Sequence, residues 1–271
     1  MSDRPRAPVA FKRDEENLTA GLLRVKKDIA DLAREAPADI FIALEEVDFC
    51  RIYAVIIGPG ETPYDGGILR LPPTPCFRLT CPLEYPMVPP MVRFLTTDSG
   101  RTQIHPFFYR NGNVSLSILG TYAGPQWTPA QSLRTPLLSI QSLLSAQPFY
   151  DSPLKKHANK EQTREDAESY NSFVKHEVLR VGVCDIVQDC LEEKSPYPAT
   201  LRDFVLKSFA DKFRQYEDFA ISQLHLHGKK IFNPFSSGHG KYKYEALLAK
   251  LQELKLQVDR RNKAATVPGS A

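Results

Sequence analysis

The sequence predicts an α+β fold, and three observations carry that prediction. An apolar stripe at helical spacing runs through residues 15–35. Short β-like runs then crowd residues 40–94, separated by turn residues and far too close together for helical crossovers between parallel strands. Beyond residue 155 long helical stripes return. The expected architecture is an N-terminal helix, a four-stranded antiparallel meander sheet with flanking helices, and a C-terminal helical extension.

In the first helix Leu18, Leu22, Val25, Ile29 and Leu32 recur at three- and four-residue steps, while Arg24, Lys26, Lys27, Asp28 and Asp31 fall mostly off that face. Pro37 should end it near Ala36, because the residue before a proline avoids helical geometry. The β-like runs are 40–47, 50–57, 68–71, 76–79 and 92–94, with Gly58-Pro59-Gly60 breaking the second. Residues 97–135 mix His, Pro, Gly, Asn and Trp with little period, and a loop region that long inside a compact domain points to function. A helix over 133–145 sets Leu137, Ile140, Leu143 and Leu144 on one stripe. Later helices span 165–189 with Tyr170, Phe173, Val174, Val178 and Val181, then 201–224 with Phe204, Val205, Phe209, Phe213 and Tyr216, then 244–258 with Leu247, Leu248, Leu251 and Leu254. These stripes read as packing faces rather than cofactor boxes. The division that follows is a flexible tail at 1–12, a core domain at 13–155, a helical extension at 156–260 and a second flexible tail at 261–271.

Composition narrows the function classes. A formal charge of +3 singles out no nucleic-acid partner. There is no window of about 18 apolar residues and no N-terminal signal peptide, so no membrane association is expected. The five cysteines are odd in number and lack zinc-knuckle spacing, which predicts free thiols in a reducing compartment, the cytoplasm or also the nucleus. His225 and His227 lie two apart and would not face each other on a helix. His239 follows a Ser-Ser-Gly turn, and no carboxylate or thiol completes a set, so no metal is expected.

A family comes into view at five motifs. Gly58-Pro59-Gly60-Glu61-Thr62-Pro63-Tyr64-Asp65-Gly66-Gly67 resembles the glycine-rich turn of ubiquitin-conjugating enzymes. Tyr85-Pro86-Met87-Val88-Pro89-Pro90 resembles the same family's Tyr-Pro…Pro-Pro element, and His105-Pro106 opens its His-Pro-Asn motif. Val114-Ser115-Leu116 sits where the family has its cysteine, and Trp127-Thr128-Pro129-Ala130 resembles its Trp-Ser-Pro-Ala element. The motifs keep the family's order and approximate spacing. Asn111-Gly112, the stretch from Gly120 to Pro125 and Lys175-His176-Glu177 resemble the long Z type in particular, whose fold has a C-terminal helical extension.

The resemblance implies a relay chemistry. A cysteine thiolate takes the modifier from an activating enzyme as a thioester, and a substrate lysine, usually positioned by a ligase, then attacks it. Thiolate suits the task because it is nucleophilic near neutral pH without a dedicated base. By resemblance, His105 supports the active-site loop, Met87, Pro129 and Ala130 stand on the ligase-docking loops, and Arg24, Lys26 and Lys27 lie on the helix that meets the activating enzyme. The implied partners are ubiquitin or a ubiquitin-like modifier, its activating enzyme and ligases. No cofactor is expected: the activating enzyme consumes the ATP, and Gly58–Gly67 lacks the Gly-Lys-Ser/Thr ending of a P-loop.

The sequence departs from that pattern twice. Ser115 holds the nucleophile position and Phe107 the asparagine position. A hydroxyl needs an activating base, and Phe107 has no amide to donate. The expectation is a conjugating-enzyme relative with impaired or absent transfer. The alternatives are an active or trap-like enzyme that carries the modifier on Ser115, and a serine hydrolase. A hydrolase nucleophile elbow wants glycine two residues to each side of the serine, where this chain has Asn113 and Ser117. Trp127 is expected in the core with its Nε1–H seeking an acceptor.

Overall fold

The computed structural model describes residues 9–35, 37, 39–44, 51–71, 79–80, 84–192, 195, 197–235 and 240–266. Helix α1 (Val9–Glu35) leads into strands β1 (Ile40–Leu44), β2 (Arg51–Ile57) and β3 (Ile68–Leu71), which pair antiparallel in the order β1-β2-β3. A two-residue strand, β4 (Leu79–Thr80), pairs with the start of β2. Helix α2 (Arg134–Ser142) follows the long loop region, and the extension supplies α3 (Arg164–Leu179), α4 (Ile186–Leu191), α5 (Ala199–Ser222) and α6 (Tyr244–Thr266).

β2 explains the layering. Its side chains alternate between two faces, yet the run Ile52-Tyr53-Ala54-Val55-Ile56-Ile57 is apolar throughout. Such a strand must be covered on both sides. Ile52, Ala54 and Ile56 join one core with Val25 and Leu32 of α1, Leu137 and Ile140 of α2, and Tyr170 and Val174 of α3. Tyr53, Val55 and Ile57 join the other with Val205 and Phe209 of α5 and Leu251 and Leu254 of α6. The extension thus covers a sheet face that would otherwise be an apolar patch. Each fully buried side chain of this kind stabilises the fold by about 1.5–3 kcal/mol.

Several expectations need correction. Among the described residues no strand forms at 92–94. Arg93 makes only an isolated bridge to Asn113, and the Leu95 N–H reaches Arg70 O at 3.1 Å. The Arg70 N–H is already taken by the Thr96 hydroxyl at 3.0 Å, so the ladder cannot extend along β3. Among the described residues the sheet is therefore three strands across, with β4 beside β3 on the same partner rather than in a sequential meander. Residues 45–47, 50 and 76–78 of the expected strands, with Cys50, Cys76, Cys81 and His239, lie outside the described residues. The helix expected over 165–189 is interrupted by a π-helical segment, Arg180–Asp185. Its Gly182 lies against Ile68, Leu69 and Thr96, where a side chain would meet them at 3.6–3.7 Å. Helix α1 runs from Val9, and α6 continues to Thr266 with no glycine or proline in its sequence. Leu22 is not a core residue of α1 but sits at its exposed edge beside Leu23.

The glycine-rich segment is a closed turn. Gly58 N–H donates to Gly67 O at 2.8 Å and Gly66 N–H to Gly58 O at 3.1 Å. A Cβ on Gly58 would stand 1.8 Å from Tyr64 O, an overlap no rotamer change relieves. Gly66 has φ +70, and its carbonyl accepts the Tyr216 hydroxyl of α5 at 2.8 Å. This bond ties the turn to the extension. Gly58→Ala is expected to destabilise the protein by about 3 kcal/mol or more, read as a fall in the urea midpoint; a shift worth less than about 1 kcal/mol would contradict the geometry.

A second tie involves the residues singled out at 175–177. The buried Glu177 accepts from His176 Nδ1 at 2.9 Å and from Arg180, which also reaches Asp98 at 2.7 Å. Burial alone would raise the Glu177 pKa. The His176 and Arg180 hydrogen bonds overcome it and hold the carboxylate at about 2. Lys243 N–H donates to the other ring nitrogen of His176 at 3.2 Å, which places the ring proton on Nδ1. Cys184 and Cys190 are free buried thiols pushed up to about 12 by burial, which leaves them unreactive.

Candidate functional site

Ser115 lies in the irregular region between β4 and α2 and is 8% exposed. Its backbone N–H donates to Phe107 O at 2.9 Å, which lays the 114–116 strand of loop against the segment that begins at His105. The Thr121 hydroxyl holds the other side. It donates to Val114 O at 2.6 Å and accepts the Leu116 N–H at 2.9 Å, so both neighbours of Ser115 hang on one side chain. Gly120, with φ +70, lets the chain turn back to bring Thr121 there. Gly112, φ +83, allows the tight turn before Ser115, since a Cβ would meet Phe94 O at 2.9 Å.

Ser115 Oγ makes its contact with Tyr109, whose hydroxyl lies 3.4 Å away. It does not pair with His105. That histidine is fully buried, and Nδ1 accepts the Phe107 N–H at 3.0 Å. An accepting Nδ1 carries no proton, so the proton sits on Nε2, which faces Asp151 Oδ2 at 3.4 Å. Asp151 is fixed in turn by the Ser145 hydroxyl at 2.7 Å. Both ring nitrogens are therefore engaged, one with the loop backbone and one with Asp151, and neither is available as a base. The Phe107 ring packs between His105 and Tyr122, with centroids at 5.6 and 5.2 Å. It is an aromatic brace for the loop in place of an amide.

Burial pushes the His105 pKa below its ordinary value, and the opposing pull of Asp151 does not overcome it. The unfolded chain, at about 6.5, then takes the proton first. The stability contributed by neutral His105 is complete above about pH 6.5 and is lost progressively as pH falls toward the lower folded-state value. The melting temperature is expected to drop between pH 7 and 5. His105→Gln should melt lower at pH 7 but show a flatter profile through that window; an unchanged slope would contradict the assignment. Glu177 loses its contribution only below about pH 4.5, outside the window.

A profile of the ubiquitin-conjugating enzyme family matches residues 24–178, more than half of the chain and all of the site just described. The chain belongs to the ubiquitin-conjugating enzyme family. It is 38% identical over 246 residues to Ubiquitin-conjugating enzyme E2 Z of Xenopus tropicalis, covering 91% of this chain and 74% of the relative. It is 39% identical over 237 residues to Ubiquitin-conjugating enzyme E2 Z of Homo sapiens, covering 88% and 63%. The Caenorhabditis elegans Probable ubiquitin-conjugating enzyme protein 17 is 29% identical over 192 residues, covering 65% and 26%. The chain spans 63% of the length of its human relative. These similarities support a conjugating enzyme of the Z type, and helices α4–α6 fit the expected extension.

In this conjugating-enzyme fold Met87, Pro129 and Ala130 lie on two neighbouring loops and are exposed, Met87 at 70%. Trp127 joins the loops: its Nε1–H finds the expected acceptor in Pro86 O at 2.7 Å. Arg24 is placed differently from Lys26 and Lys27, which stand exposed on α1. Its guanidinium turns back on the fold, donating to Pro129 O at 3.1 Å, Gln131 O at 2.6 Å and Asp28 Oδ1 at 2.8 Å. Asp28, 3% exposed, also accepts the Tyr85 hydroxyl and the Leu133 N–H at 3.2 Å. One carboxylate thus fastens α1 to both exposed loops. Among the described residues no helix is long and apolar enough to cross a membrane.

Sequence reasoning missed Thr121, Tyr109 and Asp28. Thr121 stands beside Gly120 with a second glycine three residues on, a hint of a reversal near Ser115. Nothing local marks Tyr109, and Asp28 reads as one more polar residue off an apolar stripe.

Proposed function

We propose that this chain is a Z-type conjugating-enzyme relative that engages ubiquitin or a ubiquitin-like modifier, an activating enzyme and ligases, with transfer impaired at Ser115. The observation that carries this reading is the pairing of His105. With Nδ1 on the Phe107 N–H and Nε2 on Asp151, the histidine beside the loop cannot take the Ser115 proton. The same pairing argues against a serine hydrolase, which needs a base within hydrogen-bond reach of its nucleophile. Exposed Met87, Pro129 and Ala130 support ligase docking, since an apolar patch of this kind works without a nucleophile. Lys26 and Lys27 support a contact with the activating enzyme. The buried free thiols Cys184 and Cys190 fit a reducing compartment, so we place the protein in the cytoplasm or nucleus.

Titration against ubiquitin, an activating enzyme and a panel of ligases tests the reading. Binding to at least one at micromolar concentration is the expected result. No binding to any at high micromolar concentration would overturn it. A trap-like enzyme is the second reading, supported by the ordered surroundings of Ser115: a hydroxide-labile, reductant-resistant adduct on Ser115 would favour it.

A further inference from the structure

We propose that the Tyr109 hydroxyl is the hydrogen-bond donor to the acyl carbonyl carried at position 115. This rests on the reading of position 115 as the acyl-carrying position. Acyl transfer places negative charge on the carbonyl oxygen, and a donor about 2.7–3.1 Å from that oxygen lowers the barrier. Five backbone N–H groups around Ser115 are already committed. The Ser115 N–H is held by Phe107 O, the Leu116 N–H by the Thr121 hydroxyl, the Phe107 N–H by His105 Nδ1, the Phe108 N–H by His105 O and the Tyr109 N–H by Asn113 O. Among the described residues, the side-chain group touching the Ser115 hydroxyl is the Tyr109 phenol, at 3.4 Å.

Two features suit Tyr109 to the role. Its backbone is fixed at both polar atoms, the N–H on Asn113 O at 2.9 Å and the carbonyl on the Gly112 N–H at 2.8 Å. Its side chain, 44% exposed, is free to follow a carbonyl that arrives from solvent. The direction of the bond also inverts on loading. In the free protein Ser115 Oγ–H donates to the phenol. An acylated position 115 has no proton to give, so the phenol O–H turns to the new acceptor. The oxygen of an acyl group lies beside the atom that carries it, within reach of a hydroxyl already 3.4 Å from that atom.

The step balances without another group. The lone pair of a substrate amine forms the C–N bond while the carbonyl π pair moves onto oxygen, where the Tyr109 O–H meets it. When that pair returns, the bond from carbon to the position-115 atom breaks and its electrons leave with that atom. The amine's surplus proton passes to water.

Discharge of a loaded thioester separates this role from loading. Ser115→Cys and Ser115→Cys with Tyr109→Phe would each be charged with ubiquitin, ATP and an activating enzyme, ATP removed, and thioester loss to free lysine followed on nonreducing gels. Both are expected to reach the same final loaded fraction and to melt alike, with discharge about 10²-fold slower in the Tyr109→Phe protein. Tyr109→His, which restores a donor, should recover part of the rate. Equal discharge with and without the phenol overturns the proposal, as does a slow Tyr109→Phe protein that Tyr109→His does not improve. Failure of Ser115→Cys to load at all overturns the acyl-carrier reading itself, and the proposal with it.

Discussion

Ser115→Cys is expected to accept ubiquitin from an activating enzyme about 10²–10⁴-fold faster than the Ser115 protein, the range a positioned general base is worth to a hydroxyl that lacks one. A cysteine needs no such base because a useful fraction of it is already thiolate near neutral pH. A serine hydroxyl needs its proton removed as it attacks, and the ring nitrogens of His105 are committed to Phe107 and Asp151. The 114–116 segment is held by Phe107 and Thr121 through backbone atoms, so exchanging Oγ for Sγ leaves it in place. The product should be reductant-sensitive, unlike an oxyester on Ser115. Comparable loading of the two proteins would sink the impaired-site reading. No loading of either would place the lesion beyond the nucleophile and leave a binding protein.

Asp28→Ala is expected to lower stability by about 3–5 kcal/mol, the range for removing one partner of a buried ion pair. It strips the acceptor from Arg24, Tyr85 and the Leu133 N–H together. Arg24 keeps two carbonyl acceptors and is partly exposed, which favours the lower end of that range. Asp28→Asn keeps shape and one acceptor oxygen, so about half the loss should return. Urea unfolding reads both values; a loss below about 1 kcal/mol for Asp28→Ala would show that the carboxylate does not fasten the loops. Ligase binding should weaken in Asp28→Ala even where it remains folded, because the Met87 and Pro129 loops are both anchored through this residue.

Much of the fold was legible because apolar period reports burial. Val25 and Leu32, Tyr170 to Val178, and Leu247 to Leu254 all turn inward as their spacing requires. The continuous apolar run of β2 already demanded cover on both faces, which the stripes of the extension supply. Period says much less about polar residues. Arg24 and Asp28 fall off the apolar face of α1 and read as solvated, yet the Asp28 carboxylate is reached by Leu133, 105 residues away. The π-helical break at Arg180–Asp185 is equally silent in the sequence. Within it Gly182 lies against Ile68 and Leu69 of β3, a contact that exists only once the sheet is built. The expected strand at 92–94 failed for the same kind of reason, since a side chain from Thr96 occupies the β3 donor it needed.

The sequence by itself determined the family, through five ordered motifs, and determined that position 115 offers a hydroxyl and position 107 a phenyl ring. Those are statements about which atoms are present. Whether the hydroxyl can act was decided by the tertiary structure, which gave His105 to the loop backbone and Asp151 and set Tyr109 beside Ser115. Folding, by joining residues 46 apart in the chain, committed Nε2 of His105 to Asp151.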